Sequence, residues 1–109
     1  MNQESKESLA ILAYLYIEHF KYEKAYNLLI ALNAYFPNEA DISRSLAFAC
    51  LKMGDFQAAL RHAEASIKKG ISQNKLASST LIKAKALWGL GKEEAAKHTL
   101  ATLRQLQKE

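Results

Sequence analysis

The chain has 109 residues, of which 50% are apolar and 24% are charged, a composition that excludes a disordered polypeptide and fits one small domain. Four glycines and one proline are too few for a strand-rich sandwich, which needs a turn about every 8–12 residues. The formal charge of +4 is uneven, because residues 1–54 carry five basic and six acidic side chains, whereas residues 55–109 carry ten and five.

Hydrophobic periodicity, taken in chain order, predicts six helices and no strands. They span residues 5–19, 22–35, 39–53, 56–69, 74–90 and 92–107. The first helix contains the longest apolar run, Leu9–Ile17. This run is too short for a membrane crossing, which needs about 20 residues.

Three segments of the chain repeat one pattern of residue types. Segments 21–26 and 55–60 read polar, aromatic, polar, polar, alanine, apolar, and segment 91–96 is a looser copy. Ala25 and Ala59 are 34 residues apart, and Ala59 and Ala96 are 37 apart. The three extra residues are expected in the polar stretch 69–75, where an insertion disturbs little.

A helix–turn–helix period of 34 residues is the signature of tetratricopeptide (TPR) repeats. The first copy matches the TPR pattern at Leu9, Leu12, Ala13, Tyr16, Ala25, Leu29 and Pro37. The second copy has Ile71 in place of the proline, and the third has Lys83 in place of an apolar residue. The chain resembles a single TPR domain over 1–109, with repeats of about 5–38, 39–73 and 74–108. This resemblance implies an all-α fold, in which three tandem helix-turn-helix repeats form a short right-handed solenoid with a concave groove.

Small residues and turn formers stand where this pattern places helix crossings and turns. Pairs of alanines are expected at the crossings: Ala13 with Ala25, Ala47 with Ala59, and Ala84 with Ala96. Gly54 and Gly91 are expected to end helices in the left-handed conformation, and Asp55 to cap the helix that follows. Phe20 replaces glycine at the first turn, which is expected to be less tight. Polar groups in 38–41 are expected at the start of the third helix.

In TPR arrays the first helix of each repeat lines the concave surface, and helix periodicity selects its groove-facing residues. The predicted groove residues are Ala10, Tyr14, Ile17, Arg44, Phe48, Leu51, Leu81, Lys85 and Trp88. Six of them are large and apolar and two are basic, so the groove suits an amphipathic helix, or an apolar peptide flanked by acidic residues. The alternative is that some of these side chains pack against one another or against a terminal helix.

The first helix is apolar on every side over Leu9–Ile17, and such a helix is normally buried. Terminal repeats usually have a polar outer face instead. We therefore expect a second apolar interface at Ile11 and Leu15, covered by a partner or, in the unpartnered protein, by self-association. The alternative is that Tyr14 and Tyr16 make the helix polar enough for a free monomer.

Four segments carry a closer resemblance, and they are Leu9–Tyr16, Ala25–Leu32, Phe36–Asn38 and Ser45–Phe56. They resemble the small TPR-type cytoplasmic chaperones of bacterial type III secretion, above all those dedicated to a needle subunit or another early-exported component. The resemblance implies a heterodimer in which the concave groove holds an aggregation-prone helical segment of the export substrate. It also implies a bacterial cytoplasmic location and leaves room for a second small co-chaperone.

No arrangement of residues in the sequence indicates an enzyme, a metal site or a cofactor. His19, His62 and His98 form no His-x-x-x-His pair, so surface or hydrogen-bonded histidines are expected. Cys50 is the one cysteine, which excludes an internal disulfide, and we expect it to be a small buried residue.

Two other binding functions stay open at this point. A general TPR adaptor would clamp an acidic or amphipathic peptide of another chaperone, with Arg44 and Lys85 pairing with its carboxylates. Nucleic-acid binding by the basic half would weaken steeply with salt. The lysines are spread along helices and not interleaved with aromatics, so we do not expect nucleic acid as the partner. The short apolar run also predicts no direct insertion into a membrane.

Overall fold

The protein folds as six α-helices, and the computed structural model describes residues 1–108. The helices are α1 (Gln3–Glu18), α2 (Tyr22–Tyr35), α3 (Ala40–Lys52), α4 (Phe56–Lys68), α5 (Gln73–Gly89) and α6 (Glu93–Lys108). Their ends lie within two residues of the predicted ends, and no strand occurs in residues 1–108. The all-α prediction is confirmed. None of the helices in this part of the chain combines the length and apolarity that a membrane crossing requires.

Each helix packs against its neighbours in sequence, and α3 also contacts α5. Three-residue turns join α1 to α2, α3 to α4, and α5 to α6, so the chain forms three helical hairpins. The alanines predicted at the helix crossings are all at most 2% exposed, and they are Ala13, Ala25, Ala47, Ala59, Ala84 and Ala96. A methyl side chain at such a position lets two helix backbones approach closely without leaving a void.

The turns that close the three hairpins share one set of backbone hydrogen bonds. In the first, the amides of Phe20 and Lys21 donate to carbonyls three and five residues earlier, at 3.0 and 2.8 Å. The corresponding distances are 3.1 and 2.9 Å at 54–55, and 3.0 and 2.9 Å at 91–92. This is the Schellman motif, which places one residue in the left-handed conformation. Gly54 and Gly91 take it, with φ of 79° and 77°, as predicted.

The prediction of a looser first turn is wrong, because Phe20 takes the same left-handed conformation with φ of 61°. A side chain there brings Cβ close to the following carbonyl oxygen, which costs about 1–2 kcal/mol. The Phe20 side chain is 78% exposed, so burial of the ring offsets little of this strain.

The starts of α4 and α3 both have the predicted polar residues, with Asp41 in the first turn of α3, but a side-chain cap forms at α4 alone of the two. The Asp55 carboxylate accepts a hydrogen bond from the Ala58 amide at 3.2 Å, which caps α4. Glu39 precedes α3, and its side chain makes no capping hydrogen bond. The Glu39 carboxylate pairs instead with Nζ of Lys6 on α1, at 2.6 Å.

The extra residues of the third hairpin lengthen a helix. The connections between hairpins, 36–39 and 69–72, have equal lengths, but α5 has 17 residues where α3 has 13. Residues 73–75 do fall in the predicted stretch, yet they form the first turn of α5. Nζ of Lys75 in this turn pairs with Asp41 on α3 at 2.9 Å. The insertion therefore lengthens a helix and adds an exposed ion pair, while the connection between the hairpins keeps its length.

Glycine at position 20 is expected to stabilise the fold. Phe20→Gly relieves the strain of about 1–2 kcal/mol, while the flexibility that glycine adds to the unfolded chain removes about 0.5–1 kcal/mol of that gain. We expect the free energy of unfolding to rise by up to about 1.5 kcal/mol, measured by urea denaturation followed by circular dichroism. Gly54→Ala is the matched control with the opposite sign and should lose up to about 1.5 kcal/mol, because no atom lies within 4 Å of the added Cβ and the backbone strain exceeds the gain from a less flexible unfolded chain. A less stable Phe20→Gly variant would contradict this account.

Candidate partner-binding site

The predicted groove residues lie on the first helices of the three hairpins and differ in exposure. The exposed ones are Ala10, Tyr14, Leu81, Lys85 and Trp88, and the half-buried ones are Ile17, Arg44, Phe48 and Leu51. Tyr14 and Trp88 are 60% and 55% exposed. The surface therefore offers two large exposed aromatic side chains, one on α1 and one on α5.

Leu51, Lys85 and Trp88 meet around a cavity of about 430 Å³ between α3, α4 and α5. Its other lining residues are Lys52, Phe56 and Gly89. A Cβ on Gly89 would lie only 2.5–2.6 Å from carbons of the Phe56 ring, so the glycine allows this ring to lie against α5. The result is an apolar cavity with an exposed tryptophan and two lysines in its lining.

Ala10, Tyr14 and Ile17 line a smaller cavity of about 100 Å³ where α1 faces α3. Ile17 also packs against the core cluster shared by α1, α2 and α3, so it supplies little free surface. The volume lies well below the roughly 300–1,000 Å³ that is usual for small-ligand sites. This part of the surface therefore offers less room for a ligand than the part around Trp88.

Phe48 belongs to a row of three aromatic rings. Its ring meets Tyr22 edge to face at 6.3 Å, and Tyr22 meets Phe20 in the same manner at 6.3 Å. Nζ of Lys52 lies 5.6 Å from the centre of the Phe48 ring. We call Phe20, Tyr22 and Phe48 the aromatic row. Sequence reasoning missed it, although one signal was available: Phe20 stands where the other two turns have glycine.

The two basic groove residues have no ion-pair partner within residues 1–108. Nε of Arg44 is buried and has no hydrogen-bond partner, whereas Lys85 is exposed. A cation with unused donors next to apolar surface favours a carboxylate as its partner, because charge-assisted hydrogen bonds are stronger than neutral ones.

Ile11 and Leu15, the predicted second interface, lie one helical turn apart on α1 and are 62% and 47% exposed. Leu12 between them is 39% exposed. Exposed apolar side chains next to one another are typical of interaction sites, so the interface at Ile11 and Leu15 stays a prediction.

A cavity of about 710 Å³ between α4, α5 and α6 shares no residue with the predicted groove. Its lining includes Lys83, the residue that departs from the repeat pattern, with Nζ 3.6 Å from Glu64. In the second hairpin Lys69 reaches inward and its Nζ donates to Ser43 Oγ at 2.7 Å. The equivalent position in the third hairpin, 37 residues later, is Leu106, which lines the cavity. The third hairpin therefore has no counterpart of the hydrogen bond between Lys69 and Ser43.

The titratable groups of the core show no sign of nucleophilic or metal chemistry. Cys50 is fully buried, as predicted, and burial, followed by the nearby Asp55, raises the pKa of its thiol to about 11. A thiol with this pKa stays protonated near neutral pH and is a poor nucleophile. Within residues 1–108 no three His, Cys, Asp or Glu side chains are grouped so that they could hold a metal ion.

The histidines fit the expectation in two cases out of three. His98 is exposed, and Nδ1 of His19 lies 2.8 Å from the Leu15 carbonyl oxygen, close enough to donate a hydrogen bond. His62 departs from it, because its Nε2 is buried without a hydrogen-bond partner. Burial, and then the positive charges of Arg61 and Lys69, lower the pKa of His62 below its usual 6.5.

Comparison with known proteins adds no relative: no protein-family model matches the chain, and no curated protein matches it. The function is therefore inferred from the surfaces of the molecule together with the resemblance carried by the sequence.

The lowered pKa of His62 predicts a loss of stability in mild acid. The unfolded state binds the proton more tightly, so the free energy of unfolding is highest above about pH 6.5 and falls as the pH drops below it. His62→Thr, which copies Thr99 at the equivalent position of the third hairpin, should lose less stability than the wild type between about pH 7.5 and about pH 5. Urea denaturation at both pH values measures this. His98→Thr is the control and should keep the wild-type pH dependence, and an equal loss in wild type and His62→Thr would refute the assignment.

The exposed face of α1 predicts self-association of the protein without a partner. At about 100 µM, light scattering should give an average mass above the 12.2 kDa of the monomer. Ile11→Glu/Leu15→Lys, which forms a favourable pair one turn apart, should restore the monomer mass. Ile30→Glu alters another exposed apolar residue, on α2, and should leave the association unchanged. A monomeric wild type would show that this face needs no cover.

Proposed function

We propose that the protein is a dedicated chaperone of bacterial type III secretion. It binds a helical, aggregation-prone segment of a small export substrate against α1, α3 and α5, and keeps that substrate soluble in the bacterial cytoplasm until export. In this proposal the three hairpins are TPR repeats in a short right-handed solenoid, and the first helices line its concave groove. The protein acts by binding alone, without catalysis and without a cofactor.

The cavity at Leu51, Lys85 and Trp88 is the observation that carries the proposal. Its lining is mainly apolar, and Trp88 in that lining is exposed to solvent. Its lysines have no ion-pair partner in residues 1–108. An amphipathic helix fits such a surface, because its apolar anchors enter the cavity while acidic residues on its flanks meet the lysines. Aromatic side chains in such positions typically carry most of the binding energy.

The shared turns support the repeat arrangement. Among the hairpin turns the Schellman motif recurs after 34 residues and again after 37, and the buried alanines recur with the same two spacings. A further copy of the motif, at Gly70, ends α4 between the second and third hairpins. Units with the same turn and the same crossing alanines stack in similar ways, which places equivalent helices side by side. That stacking would align α1, α3 and α5 as one binding surface.

The chaperone effect follows from mass action. A substrate helix that is apolar on one face assembles or aggregates in water when it is free. Binding to the groove buries that face, and a complex of standard size buries about 1,600 Å² in total. The free concentration of the segment then falls, and with it the rate of self-assembly.

Truncation of two aromatic groove residues should disrupt the complex. The wild-type protein, tagged and purified from its native cell, should retain a small helical secretion protein at about one-to-one stoichiometry. Phe48→Ala/Trp88→Ala should weaken binding more than tenfold, since one aromatic anchor often contributes about 2 kcal/mol or more. Tyr35→Ala removes an aromatic on α2 that is 63% exposed, comparable with Trp88 at 55%, and is the control. Mass spectrometry and calorimetry give the readouts, and unchanged binding by the double variant would refute the groove assignment.

A general TPR adaptor is the second candidate, favoured by the unpaired cations Arg44 and Lys85. The retained protein would then be a large, abundant chaperone with an acidic segment. Arg44→Gln and Lys85→Gln, and not the aromatic truncations, would abolish that interaction. Retention of nucleic acid alone, with strong salt dependence, would point to the basic half of the chain.

A further inference from the structure

The first hairpin turn keeps a strained, exposed aromatic residue where the other two turns have glycine. The three turns share their hydrogen bonds, so nothing in the turn itself requires phenylalanine at position 20. Phe20 has φ of 61°, and its side chain is 78% exposed. Strain that the fold does not need is a reason to look for a binding role.

The exposed Phe20 ring adjoins two rings that the fold holds in place. Tyr22 meets it edge to face with an angle of 72° between the rings, and Tyr22 meets Phe48 with an angle of 69°. Tyr22 and Phe48 are half-buried, so the inner part of the aromatic row is fixed to α2 and α3. Phe20 extends this fixed part into solvent, where a partner can cover its ring.

The charges around the aromatic row are mainly positive. Lys21 and Lys24 line the same surface hollow as Phe20, and Lys52 lies over Phe48. None of these three lysines is in an ion pair within residues 1–108. Glu23 is the acidic residue in the lining of that hollow. The surface therefore combines an exposed ring with uncompensated cations.

We propose that the aromatic row is an anchoring surface for an acidic segment of the bound protein partner. Phe20 receives a large apolar or aromatic side chain of that segment, and Lys21, Lys24 and Lys52 meet the carboxylates beside it. The inference rests on the proposed function, because the segment belongs to the partner held by α1, α3 and α5. It deepens that function by stating what the partner must carry beyond its helix: an apolar residue next to two or more acidic ones.

Peptide selection on the protein itself tests the inference. A displayed library of random 20-residue peptides is selected on the immobilised full chain. A helix of this length spans about 30 Å, compared with 41 Å for the longest dimension of the molecule. We expect enrichment of peptides in which Phe, Trp, Leu or Met adjoins at least two Asp or Glu. Failure to enrich any peptide, or enrichment of basic peptides, would overturn the inference.

The decisive comparison combines affinity with stability. Fluorescence anisotropy with the enriched peptides should show at least tenfold weaker binding to Phe20→Gly, although that variant unfolds at no lower urea concentration than the wild type. Phe20→Tyr keeps the ring and should bind within about twofold of the wild type. Lys21→Gln/Lys24→Gln should bind more weakly and with less dependence on salt. Equal binding to wild type and Phe20→Gly would refute the role of Phe20.

Trp88→Ala separates this inference from the proposed function. Peptides that lose affinity for Trp88→Ala but not for Phe20→Gly would support the groove and refute the anchoring surface. The reverse pattern would support the anchoring surface and refute the groove. A loss with both variants is the expected result, because one segment then contacts both places.

Discussion

The close approach of paired helices at buried alanines is the constraint on which the rest of the structure depends. Six alanines, two in each hairpin, are at most 2% exposed, and the turns that join the paired helices have only three residues. A larger side chain at a crossing would push the helices apart, and so short a turn could not span the wider gap. Because these positions accept only small residues, the large apolar side chains lie to either side of the crossings. Leu32 and Leu46 fill the core, whereas Tyr14 and Trp88 face solvent.

The same constraint places aromatic residues between hairpins. Tyr22 and Phe56 are each the first residue of a second helix, directly after a turn. Tyr22 contacts Phe48 on α3, and the Phe56 ring lies against Gly89 on α5, so both reach the next hairpin. The two rings produce different surfaces because they meet different residues. Tyr22 meets the Phe48 ring and becomes part of the aromatic row. Phe56 meets Gly89, which has no side chain, and lines the cavity next to Trp88.

Local chemistry in the sequence was sufficient for the helices, the alanines, the left-handed glycines and the Asp55 cap, because each depends on a few neighbouring residues. It was not sufficient where contacts between distant residues matter. The ion pair of Lys6 with Glu39, at 2.6 Å, joins α1 to the start of α3, and no local pattern indicates it. Ile17 and Tyr14 lie on the same predicted stripe, but the core covers Ile17 and leaves Tyr14 exposed. The prediction of a looser first turn is wrong for another reason. Residue type disfavours the left-handed conformation for phenylalanine, but the hydrogen bonds of the turn hold Phe20 in it.

The short α3 leaves a recess in the middle of one edge of the molecule. α1 has 16 residues and α5 has 17, whereas α3 has 13. Because the three hairpin turns are alike, the additional residues project at the edge opposite the turns, by about 4.5–6 Å. Ion pairs connect both longer helices to the start of α3, since Lys6 on α1 pairs with Glu39 and Lys75 on α5 pairs with Asp41. Hairpins of equal length would present a level edge, whereas a ligand laid along this edge meets two projecting helix ends with a lower one between them.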